Sequence, residues 1–141
     1  MENMEKKRIE ERIIKLEECL SSLKKITPKT YEKYNNSGIE VRWDLERGLQ
    51  LISQIEVDII ISLHKILKKA PVGEELSLLS ALSKELGEGV IKSVKERRKL
   101  RNELVHAYTL DNSEQVFDQA AATEDVGRFE DAVKDLLRKI Q

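Results

Sequence analysis

From Ile9 onward the apolar side chains recur as Ile9, Ile13, Leu16, Leu20, Leu23 and Ile26, at steps of three and four. That period places them on one stripe of a helix with a polar back, and Pro28, which lacks an N–H and clashes with the preceding turn, ends it. The stretch from Pro28 to Gly38 mixes Thr, Asn, Ser and Gly with Tyr31 and Tyr34 and reads as a loop. Ser37 and Glu40 have the spacing of a capping box, so a second helix opens there. It runs through Leu45, Leu49, Ile52, Ile55, Ile59, Leu63 and Ile66 toward Pro71, with further apolar residues at Leu51, Val57, Ile60 and Ile61. At roughly thirty residues it spans about 45 Å, long enough to be the central helix on which the others pack. Gly48 inside it costs about 1 kcal/mol relative to alanine and points to a close helix crossing.

A third, short helix from about Glu74 to Leu86 presents Leu76, Leu79, Leu82 and Leu86, and Gly87 and Gly89 break the pattern. A fourth carries Val90, Ile91, Val94, Leu100, Leu104 and Val105. The last begins near Asn112 and runs through Val116, Phe117, Val126, Phe129, Val133, Leu136, Leu137 and Ile140, with an interruption at Gly127. No internal repeat or low-complexity linker divides the chain, so residues 1–141 read as one domain. The expected fold is all-α, an up-and-down helical bundle of four to five helices.

Composition agrees: 36% charged and 40% apolar residues with few aromatics suit amphipathic helices better than sheets. Cys19 is the single cysteine, which excludes an internal disulfide and a cysteine-based zinc site, and two histidines are too few for a usual zinc set. We therefore expect no metal and no cofactor. The N-terminal MENMEKKRIEERIIKLEE has no signal-peptide core, and no apolar run is long enough to cross a bilayer. A cytoplasmic protein without membrane association is expected.

The net charge of −1 hides a local asymmetry. Lys92, Lys95, Arg97, Arg98, Lys99 and Arg101 crowd into ten residues beside the single acid Glu96, whereas the stretch from Asp111 to Asp135 is strongly acidic. The basic run leads into RRKLRNELVHAY, Arg97 to Tyr108, which holds a guanidinium at Arg101, an amide at Asn102, an imidazole at His106 and a phenol at Tyr108. Imidazole titrates near neutral pH and guanidinium matches phosphate in shape, so the set suggests phosphodiester chemistry. By this chain's own composition, Arg-x4-His-x-Tyr is expected about 0.003 times by chance, so the compound pattern outweighs a reading of Arg101 as a partner of Glu96 or Glu103. His64, alone in an apolar helix, reads as structural, and Trp43 as packing at the start of the central helix. Asp58, among Val57, Ile59, Ile60 and Ile61, must face solvent or have a partner.

At 100° per residue, Asn102 and His106 share a face, but Arg101 and His106 lie about 140° apart. Cleavage of RNA through the ribose 2′-oxygen needs a general base, a general acid and cationic donors for the phosphorane, which one histidine does not conveniently supply. A two-fold dimer joining two fourth helices would present two copies of Arg101 and His106 in one cleft, with the Lys92, Lys95, Arg97, Arg98 and Lys99 cations guiding RNA.

RNELVHAY also resembles the Arg-x4-His-x-Tyr signature of the HEPN superfamily, specifically the HepT-like toxins of two-gene toxin–antitoxin modules, and the order of helices is similar over nearly the whole chain. The resemblance implies a dimeric, metal-independent endoribonuclease with Arg101 and His106 catalytic and Asn102 as polar partner. It also implies an MntA-like nucleotidyltransferase antitoxin that silences the toxin by attaching AMP to Tyr108. Other HEPN domains are non-catalytic modules that bind a nucleotidyltransferase partner or RNA, and that is the alternative expectation.

Overall fold

A computed structural model describes residues 2–69, 73–106 and 111–140. Among these residues every regular element is helical: α1 (Glu2–Ile26), α2 (Tyr31–Asn35), α3 (Ile39–Ile66), α4 (Glu75–Ser80), α5 (Ser83–Leu86), α6 (Glu88–His106), α7 (Ser113–Ala121) and α8 (Thr123–Lys139). The chain is all-α, with more and shorter helices than the four or five expected. None of the described helices is long and apolar enough to cross a membrane.

The four long helices close a ring, α1 on α3, α3 on α6, α6 on α8 and α8 on α1, and the short ones fill its ends and edges. The apolar stripe of α1 is the reason it docks: Ile9, Ile13, Leu16, Leu20 and Leu23 are all buried, and only Ile26 at the helix end is largely exposed. Each such side chain contributes about 1.5–3 kcal/mol by leaving water. On α3, Leu45, Leu49, Ile52, Ile59, Ile60 and Leu63 are buried in the same core. Lys65 of α3 reaches Glu5 of α1, while Gly48 lies against Leu23, so the two helices run antiparallel. A Cβ on Gly48 would stand 3.2 Å from Leu23 Cδ1, which is the close crossing that a glycine inside a buried helix signals.

Several local expectations fail, for reasons visible in the contacts. The segment from Pro28 to Gly38 is not a plain loop, because Thr30 caps α2 by accepting from the Lys33 N–H at 3.2 Å. That turn drives Tyr34 to 2% exposure, with ring centroids of Tyr31 and Phe117 of α7 at 6.3 and 5.9 Å. Ser37 forms no capping box: its hydroxyl donates to the Tyr34 carbonyl at 2.5 Å, and Gly38 is the N-cap of α3. The third helix divides at Ala81 and Leu82 into α4 and α5, yet Leu79, Leu82 and Leu86 all remain buried. The last helix breaks at Ala122 rather than at Gly127, which lies within α8; one glycine weakens a helix without ending it. Trp43 does not pack into the core: it is 62% exposed, and Ile39, one turn earlier, is 58% exposed.

Candidate functional site

The site is built on α6, and two faces of that helix have opposite uses. Gly87 adopts φ 101°, a left-handed region that glycine alone enters cheaply, and so turns the chain from α5 into α6. On the inner face Ile91, Val94, Arg97 and Leu100 follow at steps of three, and all are buried. Arg97 is thus a core residue. Its Nε and Nη2 donate to the two carboxylate oxygens of Glu56 on α3 at 2.8 and 2.6 Å, a bidentate pair with Arg97 5% and Glu56 0% exposed. Burial pushes the Glu56 carboxyl above its ordinary value, against the charge and hydrogen bonds of Arg97. Arg97 therefore does not join the cations available to RNA, correcting the grouping made from the sequence.

The outer face carries Lys92, Lys95, Lys99, Asn102 and His106 at alternating steps of three and four, a single stripe of basic and polar side chains ending on the imidazole. These five residues line a groove of about 660 Å³, together with Arg98, Glu96, Glu103 and Leu76 of α4. Among the predicted site residues, the fold thus gathers Lys92, Lys95, Arg98, Lys99, Asn102 and His106 on one wall. His106 is exposed as the last residue of α6, and Tyr108 lies outside the described residues.

Arg101 is turned away from that wall, toward α3 and α4. Its Nη2 donates to Glu75 Oε1 at 3.0 Å and its Nη1 to Gln54 Oε1 at 3.2 Å, while Asn102 Oδ1 accepts from Nη2 at 3.2 Å. The same Glu75 oxygen accepts from Arg98 Nε at 2.9 Å. Partial burial pushes the Glu75 carboxyl up, but the hydrogen bonds and charges of Arg98 and Arg101 prevail and hold it below the ordinary carboxylate range. The guanidinium of Arg101 thus has an acidic partner in the chain, Glu75, and it is neither Glu96 nor Glu103. Gln54 in turn donates from Nε2 to Asp58 at 3.1 Å, which gives that carboxylate its partner.

His64 serves the frame of the site. It is 6% exposed, and its Nε2–H donates to the Leu78 carbonyl at 2.8 Å, tying α3 to α4. Leu79 adds a fully buried anchor, so α4 is held where Glu75 reaches both arginines. The sequence offers no local signal for Glu75 or Gln54, which stand 26 and 47 positions from Arg101. The inward role of Arg97 did have one, namely its place in the three-residue series Ile91, Val94, Leu100. Comparison with protein families and with curated proteins yields no match for this chain.

Proposed function

We propose that the chain is a metal-independent endoribonuclease, the toxin of a HEPN and nucleotidyltransferase toxin–antitoxin pair, acting in the cytoplasm as a homodimer. The observation that carries this reading is the α6 stripe, in which Lys92, Lys95, Arg98 and Lys99 share one groove wall with Asn102 and His106. A row of cations leading to an imidazole suits a polyanion whose scissile phosphate must end near a proton-transfer group. His106 moves the proton, Arg101 stabilises the phosphorane, and Asn102 orients Arg101 or phosphate. Direction supports the proposed dimer: Arg101 faces Glu75 while His106 lines the groove, and a second copy of α6 would bring a further guanidinium and imidazole to the same cleft. The antitoxin, an MntA-like nucleotidyltransferase, silences this site by transferring AMP to Tyr108, whose added charge and bulk repel RNA phosphate.

The test is cleavage of single-stranded RNA by antitoxin-free protein in EDTA, with products ending in a 2′,3′-cyclic phosphate. A second reading, a non-catalytic HEPN module that binds RNA or a nucleotidyltransferase, is favoured by the engagement of Arg101 with Glu75. It predicts salt-sensitive binding and no cyclic-phosphate product.

A further inference from the structure

Resting on the phosphodiester reading of this site, we infer that Arg98 and Arg101 form a phosphate subsite that Glu75 occupies in the free protomer, its carboxylate standing in for phosphate oxygens until an anion displaces it. Two guanidinium groups converge on one oxygen of Glu75, at 2.9 Å from Arg98 Nε and 3.0 Å from Arg101 Nη2. Guanidinium forks bind phosphate oxygens with the same planar, charge-assisted geometry. Arg98 also lines the groove, so the subsite is continuous with the wall that carries Lys99, Asn102 and His106.

The exchange needs no rearrangement of the fold. The Glu75 side chain is 33% exposed, more than Arg98 at 19% or Arg101 at 14%, so an incoming anion meets the carboxylate before the cations behind it. Leu79 and the His64 bond to Leu78 keep α4 seated while the Glu75 side chain swings out about its own torsions. Gln54 Oε1 and Asn102 Oδ1 continue to accept from Arg101 after Glu75 leaves, so the guanidinium keeps its place. Glu75 thereby sets a threshold: a single weak anion fails to open the subsite, and a polyanion already held along Lys92, Lys95 and Lys99 opens it.

The experiment measures binding apart from cleavage. Wild type, Glu75→Gln and Glu75→Ala are titrated with a fluorescent 2′-O-methylated oligoribonucleotide, which lacks the attacking hydroxyl, and with inorganic pyrophosphate. Loss of a charge-assisted competitor tightens binding about ten-fold in both variants. The gain disappears when the same substitutions are made in an Arg98→Ala/Arg101→Ala background, where no subsite remains to open. Unchanged or weaker binding of both probes overturns the inference and makes Glu75 a residue that positions the arginines. A gain for pyrophosphate without oligonucleotide binding keeps the gate and removes the RNA reading. Absence of RNA cleavage by wild type, with the gains present, removes only the nuclease.

Discussion

Replacing Arg97 by methionine removes one half of a fully buried ion pair while leaving the aliphatic bulk of the side chain. Glu56, at 0% exposure, then loses both hydrogen bonds, of 2.8 and 2.6 Å, in a position closed to bulk solvent. Stranding one charge of such a pair costs about 3–5 kcal/mol, a large share of the roughly 5–15 kcal/mol that stabilises a domain. The cost depends on pH in a defined direction. The Glu56 carboxyl in the intact pair is already raised above 4.5, so its contribution to stability is fully present below that pH and is lost as pH rises through its folded value. Removing Arg97 raises the folded value further and extends that loss across the neutral range. Urea unfolding followed by far-UV circular dichroism therefore gives a deficit of about 3–5 kcal/mol at pH 7. At acid pH, where the carboxyl takes up a proton, the deficit shrinks to about 1–3 kcal/mol, that of an unpartnered neutral group. Glu56→Met/Arg97→Met, which removes both charges, returns to within about 1 kcal/mol of wild type or exceeds it. A deficit that is the same at both pH values, or a double variant no better than the single one, would refute the assignment of Arg97 to the core.

Three further outcomes follow from the packing and the groove. Lys92→Ala/Lys95→Ala/Lys99→Ala reduces the slope of log binding constant against log salt for single-stranded RNA by roughly 2, since each neutralised phosphate contributes about 0.7, while leaving the melting temperature unchanged. Gly48→Val, read by thermal melting, destabilises by about 1–3 kcal/mol through its clash with Leu23, whereas Gly48→Ala stays near neutral because helix propensity offsets the tight contact. Trp43→Ala changes stability by less than about 0.5 kcal/mol despite its size, since the ring is 62% exposed, while Leu79→Ala, from full burial, costs about 2–5 kcal/mol.

The elements that periodicity reveals are those whose stability comes from one long apolar stripe, as in α1 and α3. Ile9 to Leu23 and Leu45 to Leu63 bury as their spacing requires, and Gly48 marks the crossing because only a residue without a Cβ lets Leu23 come so close. Short helices escape that reading. Five residues of α2 hold together through a Thr30 cap and an aromatic contact with Phe117, more than eighty positions away, which no local pattern encodes. The basic run was legible as charge but not as geometry: the helix sends Arg97 inward to Glu56, while Arg98 and Lys99 line the groove and Arg98 also pairs with Glu75. The Arg101, Asn102 and His106 set was legible as a motif, whereas Glu75 became visible only once α4 was seated against α6.

In the proposed ribonuclease, His106 moves a proton in RNA cleavage without metal. That role is tested most directly by the single-turnover cleavage rate of an RNA oligonucleotide in EDTA, for wild type and His106→Ala of equal melting temperature. Wild type is expected to give cyclic-phosphate products and the variant a rate lower by at least about 100-fold, the usual contribution of a positioned acid or base. Equal rates, or cleavage that requires a divalent ion, would contradict it.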